Sequence, residues 1–368
     1  MDVVNETKVV AGWTMGFEKD GREFLVVPIK ATFELPAPGE EPRLAEAQVP
    51  LTEADEFTGE PGLSAPLYET DYAHRKPMCD VLLNGSAYAP AGKQAHKVVV
   101  GLRVGAMNKS FAVHGHRSWR EGILGVKPGD PEAFEVMPIS YDSAFGGVDT
   151  RRGPGNVRSF LENPVGRGYS HFKDGVDGQP MPNTEEIDRP VVETNGMYRA
   201  MSFGSIGRNW HPRFRLAGTY DDQWMEKRAP FWPDDFDYHH FQAAPPDQQI
   251  PYPLGGEDVV LKNLTADGYR TFKLPTLSMP VLFIPHDGPD QEVRACIDTI
   301  LLEPDRDVFT MTWRAVFQMR RSCFDMKQVI AGEMPNAWHR ARRIGDKPYY
   351  KGIAEMVRVR GVRRVGGR

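Results

Sequence analysis

Histidines, carboxylates and a group of arginines mixed with aromatic rings are the residues of this chain whose types and spacing could do chemistry. His114-Gly115-His116 would place two imidazoles on one side of a strand, because alternate strand residues share a face. A zinc site needs three or four ligands, and no third ligand stands nearby in sequence, so surface or turn histidines are the plainer reading. His239-His240 would point to opposite sides of an extended chain and is the weaker pair. Carboxylates gather at Glu69 and Asp71, at Asp221 and Asp222, at Asp234, Asp235 and Asp237, and at Asp305 and Asp307. Paired acids can cleave glycosides or hold Ca²⁺. Here they sit among prolines, glycines and aromatic residues, where Asp commonly caps turns.

Nucleophile motifs are missing: the chain has neither Gly-x-Ser-x-Gly nor His-Glu-x-x-His. Gly204-Ser205-Ile206-Gly207 has the glycines of a phosphate cradle without the Lys-Ser/Thr that a P-loop needs. Arg208, Trp210, Arg213 and Tyr220, with Trp224, Arg228 and Trp232 following, form the densest mixture of cations and rings. Such a group can stack a sugar or a base, or it can pack under a loop while its arginines bond carbonyls. Both readings stay open, with these four residues as the candidate ligand-facing or loop-stabilising cluster. Cys79, Cys296 and Cys323 are widely spaced and read as buried, reduced thiols. This inventory leads us to expect no catalytic residue, no cofactor and no metal.

The elements that must position these residues are strands and shaped loops. Glycine (36) and proline (31) make up about 18% of the chain against a background of about 12%, which suits a turn-rich β protein. Residues 9–17 and 23–35 read as a hairpin turning at Asp20-Gly21, with Pro28 marking an edge strand or a bulge. A polar, proline-rich connection runs from Pro36 to Pro66, and a short strand follows that closes at the turn pair Asn84-Gly85. Further strands are expected around 96–113, 259–263, 269–274, 281–284, 297–302 and 309–317, with a helical turn at 223–228 and a late helix at 349–360. The expected fold class is mainly β, with sandwich- or barrel-like antiparallel sheets, long Gly/Pro-rich loops and a few short helices. Residues 1–335 read as one β-rich domain, or as two packed β subdomains, about 1–140 and 195–335, joined by the loop region 140–195. Residues 336–368 form a basic tail.

Ser140 to Gly168 stands out as a shaped loop in which Phe145, Gly146, Gly147, Asp149, Asn163, Pro164 and Gly166 are the structural candidates. Glycine serves where the backbone takes positive φ or passes close to another group, and proline fixes φ. Phe145 is expected as a buried anchor, Gly146-Gly147 as a tight passage and Asn163-Pro164 as a fixed turn. The net charge of −5 is uneven: Arg340 to Arg368 carries +8 and the rest −13. A basic tail suits nucleic acid, a membrane surface, an acidic partner or the acidic body of its own chain. The first residues lack a basic start and an apolar run, so a cytoplasmic location is expected.

Ser143-Ala144-Phe145-Gly146-Gly147-Val148-Asp149 followed by Asn163-Pro164-Val165-Gly166-Arg167-Gly168 resembles the hallmark of the bacterial DUF2169 family. Val27 to Phe33, Lys76-Pro77 through Tyr88, Met181 to Glu185, Trp210-His211-Pro212-Arg213, Gly218 to Asp221, Asp235-Phe236-Asp237, Ala243 to Gln248 and Gly255-Gly256-Glu257 continue the likeness in order over roughly 10–320. Ser143 stands where the resemblance leads one to expect Arg. The resemblance implies a non-enzymatic adaptor, or effector chaperone, of the bacterial type VI secretion system. Its partners would be a toxic effector and the VgrG and PAAR spike proteins, with neither nucleic acid nor membrane. It implies no catalytic residues. A hydrolase acting on a carbohydrate or on the effector through the acids near 221–237, or a structural component of the spike, are the alternatives.

Overall fold

The computed structural model describes residues 1–90, 93–123, 125–319 and 322–344, and the single positions 349, 350, 352 and 357. The expected late helix at 349–360 lies almost wholly outside the described residues. Strands dominate, and among the described residues only three short α-helices occur, His211–Phe214, Asp222–Lys227 and Asn336–Arg343. No helix among them is long and apolar enough to cross a membrane.

Two sheets form a sandwich. The larger has seven strands, ordered Gln249–Ile250, Cys79–Leu83, Cys296–Glu303, Val308–Gln318, Glu23–Glu34 and Val10–Ala11, with Thr14–Phe17 also on Glu23–Glu34. The smaller runs Thr184–Glu185, Met107–His114, Lys97–Val104, Asp258–Lys262 and Tyr269–Lys273. Strands from both halves of the chain thus share each sheet. Leu25, Val27, Ile29, Ala31 and Phe33 alternate along Glu23–Glu34 and enter the core, opposite Val100, Leu102, Phe111 and Phe272 of the other sheet. Phe309 ties the layers, its ring 5.1 Å from Phe33 and 5.2 Å from Phe272. A third sheet joins Asp2–Asn5, in parallel, to Met326–Ala331, with Pro280–Pro285 and Gln291–Arg294 beyond.

The other face of the large sheet is also buried, but it is polar. Lys30, Thr32, Asp80, Thr310, Thr312 and Arg314 line it, all less than a tenth exposed. The connection from Pro36 onward lies over this face and satisfies it. Gln48 imitates a strand partner, accepting from Thr32 N and donating to Thr32 O at 2.8 and 3.0 Å. Asp71 takes Lys30 Nζ and Thr52 N, each at 2.8 Å. A bulge between Ile297 and Thr299 re-aims Asp298 onto Arg314.

Two local expectations change. Glu23–Glu34 is not an edge strand, since Val308–Gln318 pairs along its whole length and shorter strands flank it on the other side. Pro28 is tolerated because it faces the break at Gly12-Trp13 between those shorter strands, where no ladder bond asks for its missing N–H. Asn84-Gly85 is not a hairpin turn: Cys79–Leu83 pairs with Cys296–Glu303 and Gly85–Tyr88 with Val136–Ile139. The chain changes sheets there, anchored by Asn84 N on Leu302 O at 2.9 Å.

Candidate functional site

The loop Ser140–Gly168 is knotted around one side chain, Asn163. Its Nδ2 donates to the carbonyls of Tyr141 and Phe145 at 2.9 and 3.2 Å, and the Asn163 backbone carbonyl accepts from Gly147 N at 2.9 Å. The backbone at Gly146 and Gly147 takes φ of 152° and 113°. A Cβ on Gly147 would stand 2.6 Å from Gly166 O, and one on Gly166 would stand 2.5 Å from Ala144 O, so the strands can cross only as glycine. Pro164, half-buried, follows the knot and leads into the return strand Arg167–Gly168, which pairs in parallel with Phe145–Gly146. Phe145 is fully buried, with Phe160 and Tyr198 rings at 5.1 and 5.0 Å. Asp149 accepts from Arg151, Ser170 Oγ and Phe172 N; the Arg151 guanidinium, foremost among these, holds its carboxyl far below the usual range. Ser143 gives its hydroxyl to the Ser140 carbonyl at 3.0 Å.

Against this loop, segments far apart in sequence enclose a cleft of about 510 Å³. Tyr141, Phe160 and Glu162 come from the loop, Met197 to Ala200, Ile206, His211-Pro212 and Arg215 from the central segments, and Pro245-Pro246-Asp247 from the turn before Gln248. At one end Lys109 Nζ donates to Gln248 Oε1 at 2.7 Å and to Asp247 Oδ1 at 3.3 Å, while Arg199 reaches Asp247 Oδ2 at 2.6 Å. Burial lowers the Lys109 ammonium to about 8 although Asp247 pulls the other way. At the other end His211 Nδ1 lies 3.2 Å from Glu162 Oε1. Met197 is 71% exposed at the rim. The walls are rings, prolines and aliphatic chains, and Lys109, Arg199 and Asp247 pair with one another while His211 meets Glu162.

The four residues singled out in sequence separate. Arg208 and Arg213 meet at Glu69, with N···O distances of 2.9 and 2.7 Å, and Arg208 also holds Asp55. Arg213 is buried and donates to the carbonyls of Ile206 and His240. Trp210 is buried against Tyr141, ring centres 5.3 Å apart, directly behind the cleft. Tyr220 lies elsewhere, exposed and edge-on to Trp224 at 4.7 Å.

The acids weighed for catalysis are turn devices. Asp221 caps Asp222–Lys227 by accepting from Trp224 N, Asp235 accepts from Thr219, and Asp237 caps Tyr238–Phe241. His114 Nε2 lies 2.7 Å from Glu185 Oε1, and Arg117 takes the other oxygen at 2.6 Å. Burial raises the Glu185 carboxyl, but the hydrogen bonds from His114 and Arg117 and the Arg117 charge outweigh it and bring it down to about 2. Among the described residues, no three His, Cys, Asp or Glu are placed to hold a metal. Cys79 and Cys323 are buried, but Cys296 is exposed, contrary to expectation. It stands at the open end of its strand, opposite Arg314.

Lys109, Arg199 and Asp247 were not found by sequence reasoning. Lys109 and Asp247 are 138 residues apart, and only the fold joins them. Comparison with curated proteins and with solved structures found no match. The chain does match the family DUF2169, described as an uncharacterized protein conserved in bacteria, over residues 20–314. Phe145, Gly147, Asn163, Arg213 and Asp247 all fall inside that match, and the chain belongs to the DUF2169 family.

Proposed function

We propose that this chain is a non-enzymatic, cytoplasmic adaptor that helps load a toxic effector onto the VgrG and PAAR spike of a type VI secretion system. The resemblance of its motifs to such adaptors motivates the reading. One structural observation supports it most: Tyr141, His211-Pro212 and Pro245-Pro246-Asp247, from three separated motif stretches, line one open cleft. Its rings and prolines offer apolar area, and its polar groups at both ends fix orientation, which suits an extended client segment. Co-expression with effector and PAAR proteins of a type VI secretion system tests this. A stable complex is expected, weakened by Met197→Asp with Arg199→Glu at the cleft. No complex, together with unchanged effector delivery when the gene is deleted, overturns it.

A further inference from the structure

The polar face of the large sheet is covered over most of its length, but at Cys296, Arg314, Val316 and Gln318 the cover ends. A recess of about 340 Å³ opens there, and it shares no lining residue with the cleft. Two cations at its floor are almost wholly buried. Lys76 Nζ is 2.8 Å from Asp80 Oδ2 and 2.9 Å from Thr299 Oγ1, which leaves one N–H unspent. Burial opposes its charge, but Asp80, Asp298 and Glu69 together raise its pKa, so the ammonium persists. Arg314 gives Nε to Asp298 and Nη1 to the carbonyls of Asp71 and Ala73 at 2.7 and 2.9 Å. Its Nη2 makes no hydrogen bond among the described residues.

Two further cations stand at the mouth. The carboxylate nearest Arg75 is Glu18 at 3.9 Å, and Glu18 already accepts from the Tyr238 hydroxyl. Arg294 makes no ion pair among the described residues. Lys76 is balanced by Asp80 and Arg314 by Asp298, so Arg75 and Arg294 stand in excess over Glu18 at the mouth, on a chain whose net charge is −5. Guanidinium groups bind carboxylate and phosphate through paired N–H donors, and a partly enclosed recess screens such contacts less than open surface does.

We propose that this recess is a binding site for a compact oxyanion, a carboxylate or a phosphate, gripped by Arg75 and Arg294 above Arg314 and Lys76. The proposal is independent of the adaptor reading. Exposed Cys296 lines the recess and reports on its occupancy. The rate of Cys296 alkylation by iodoacetamide, a neutral probe, is followed by peptide mass spectrometry in inorganic phosphate, in succinate and in sodium chloride of matched ionic strength. Phosphate or succinate is expected to slow alkylation about tenfold once its concentration exceeds Kd about tenfold. Protection by one anion alone identifies its class as the ligand, and protection by both identifies a general oxyanion site. The double variant Arg75→Ala with Arg294→Ala, whose side chains are exposed, is expected to keep its Tm and lose the protection. Protection no greater than in sodium chloride, or unchanged in the double variant, overturns the proposal.

Discussion

The two faces of the seven-stranded sheet are buried to a similar degree by opposite chemistry. One is closed by interdigitating apolar side chains, among them Ile29, Phe33, Phe309 and Trp313. The other is closed by loops whose polar groups meet Lys30, Asp80, Thr312 and Arg314 with hydrogen bonds and ion pairs. Apolar packing tolerates any neighbour of the right volume, whereas a buried charge accepts only its own partner. The polar face therefore fixes where the loops of 36–76 and 205–245 lie, and with them the back wall of the cleft.

The sharpest test of the contrast is to damage each face in turn. Trp313→Ala, at 1% exposure, removes the largest side chain that the strand places in the core and should cost about 3–5 kcal/mol in urea denaturation. On the polar face, Asp80 accepts from Lys76 Nζ, Gln242 Nε2, Ala243 N and Ala244 N. In Asp80→Asn an amide nitrogen would face donors and Lys76 would lose its counter-charge, for a loss of about 3 kcal/mol in the same assay. Replacing a whole pair behaves differently. Arg314→Met with Asp298→Leu removes both charges but leaves the carbonyls of Asp71 and Ala73 without Arg314 Nη1, so it should cost about 1–2 kcal/mol, and a loss as large as that of Asp80→Asn would break the comparison.

The motif loop belongs to neither face and is held by backbone geometry. Gly147→Val puts a β-branched residue at φ 113° against Gly166 O and should cost about 1–3 kcal/mol, read as lost soluble yield and a lower Tm. A soluble, fully folded variant that fails only to bind its client would move the loop to the functional side. The cleft should also show a pH response. Lys109 has a folded pKa of about 8, below its ordinary value, so between pH 8 and its ordinary pKa the unfolded chain binds more protons. Stability contributed by this group therefore rises across that window and is lowest below pH 8. The rise should be absent in Lys109→Met, as measured by Tm against pH.

The core was legible because Leu25, Val27, Ile29, Ala31 and Phe33 alternate along a β-branched strand. The polar face was not, because Lys30 and Thr32 occupy the same alternating positions that solvent-facing residues would occupy, and a period of two cannot tell water from a polar loop. The knot of Gly146, Gly147 and Asn163 could be anticipated from residue types, since glycine and Asn-Pro announce special backbone. The cleft and the recess could not. Each depends on pairs such as Lys109 with Asp247, or Cys296 with Arg314, that only the completed topology brings together.

That topology also sets a clock. Glu23–Glu34 leaves the ribosome well before its full-length partner, which ends at Gln318. At about 5–20 residues per second, the strand waits roughly 15–60 s for that partner to be synthesised. Over that interval the edge that Val308–Gln318 will cover has no native strand to join, and sandwiches rich in distant pairings are slow to close even afterwards. Newly made chains thus pass through a long, sticky adolescence, and conditions that slow translation or shield nascent strands should govern how much of the protein matures.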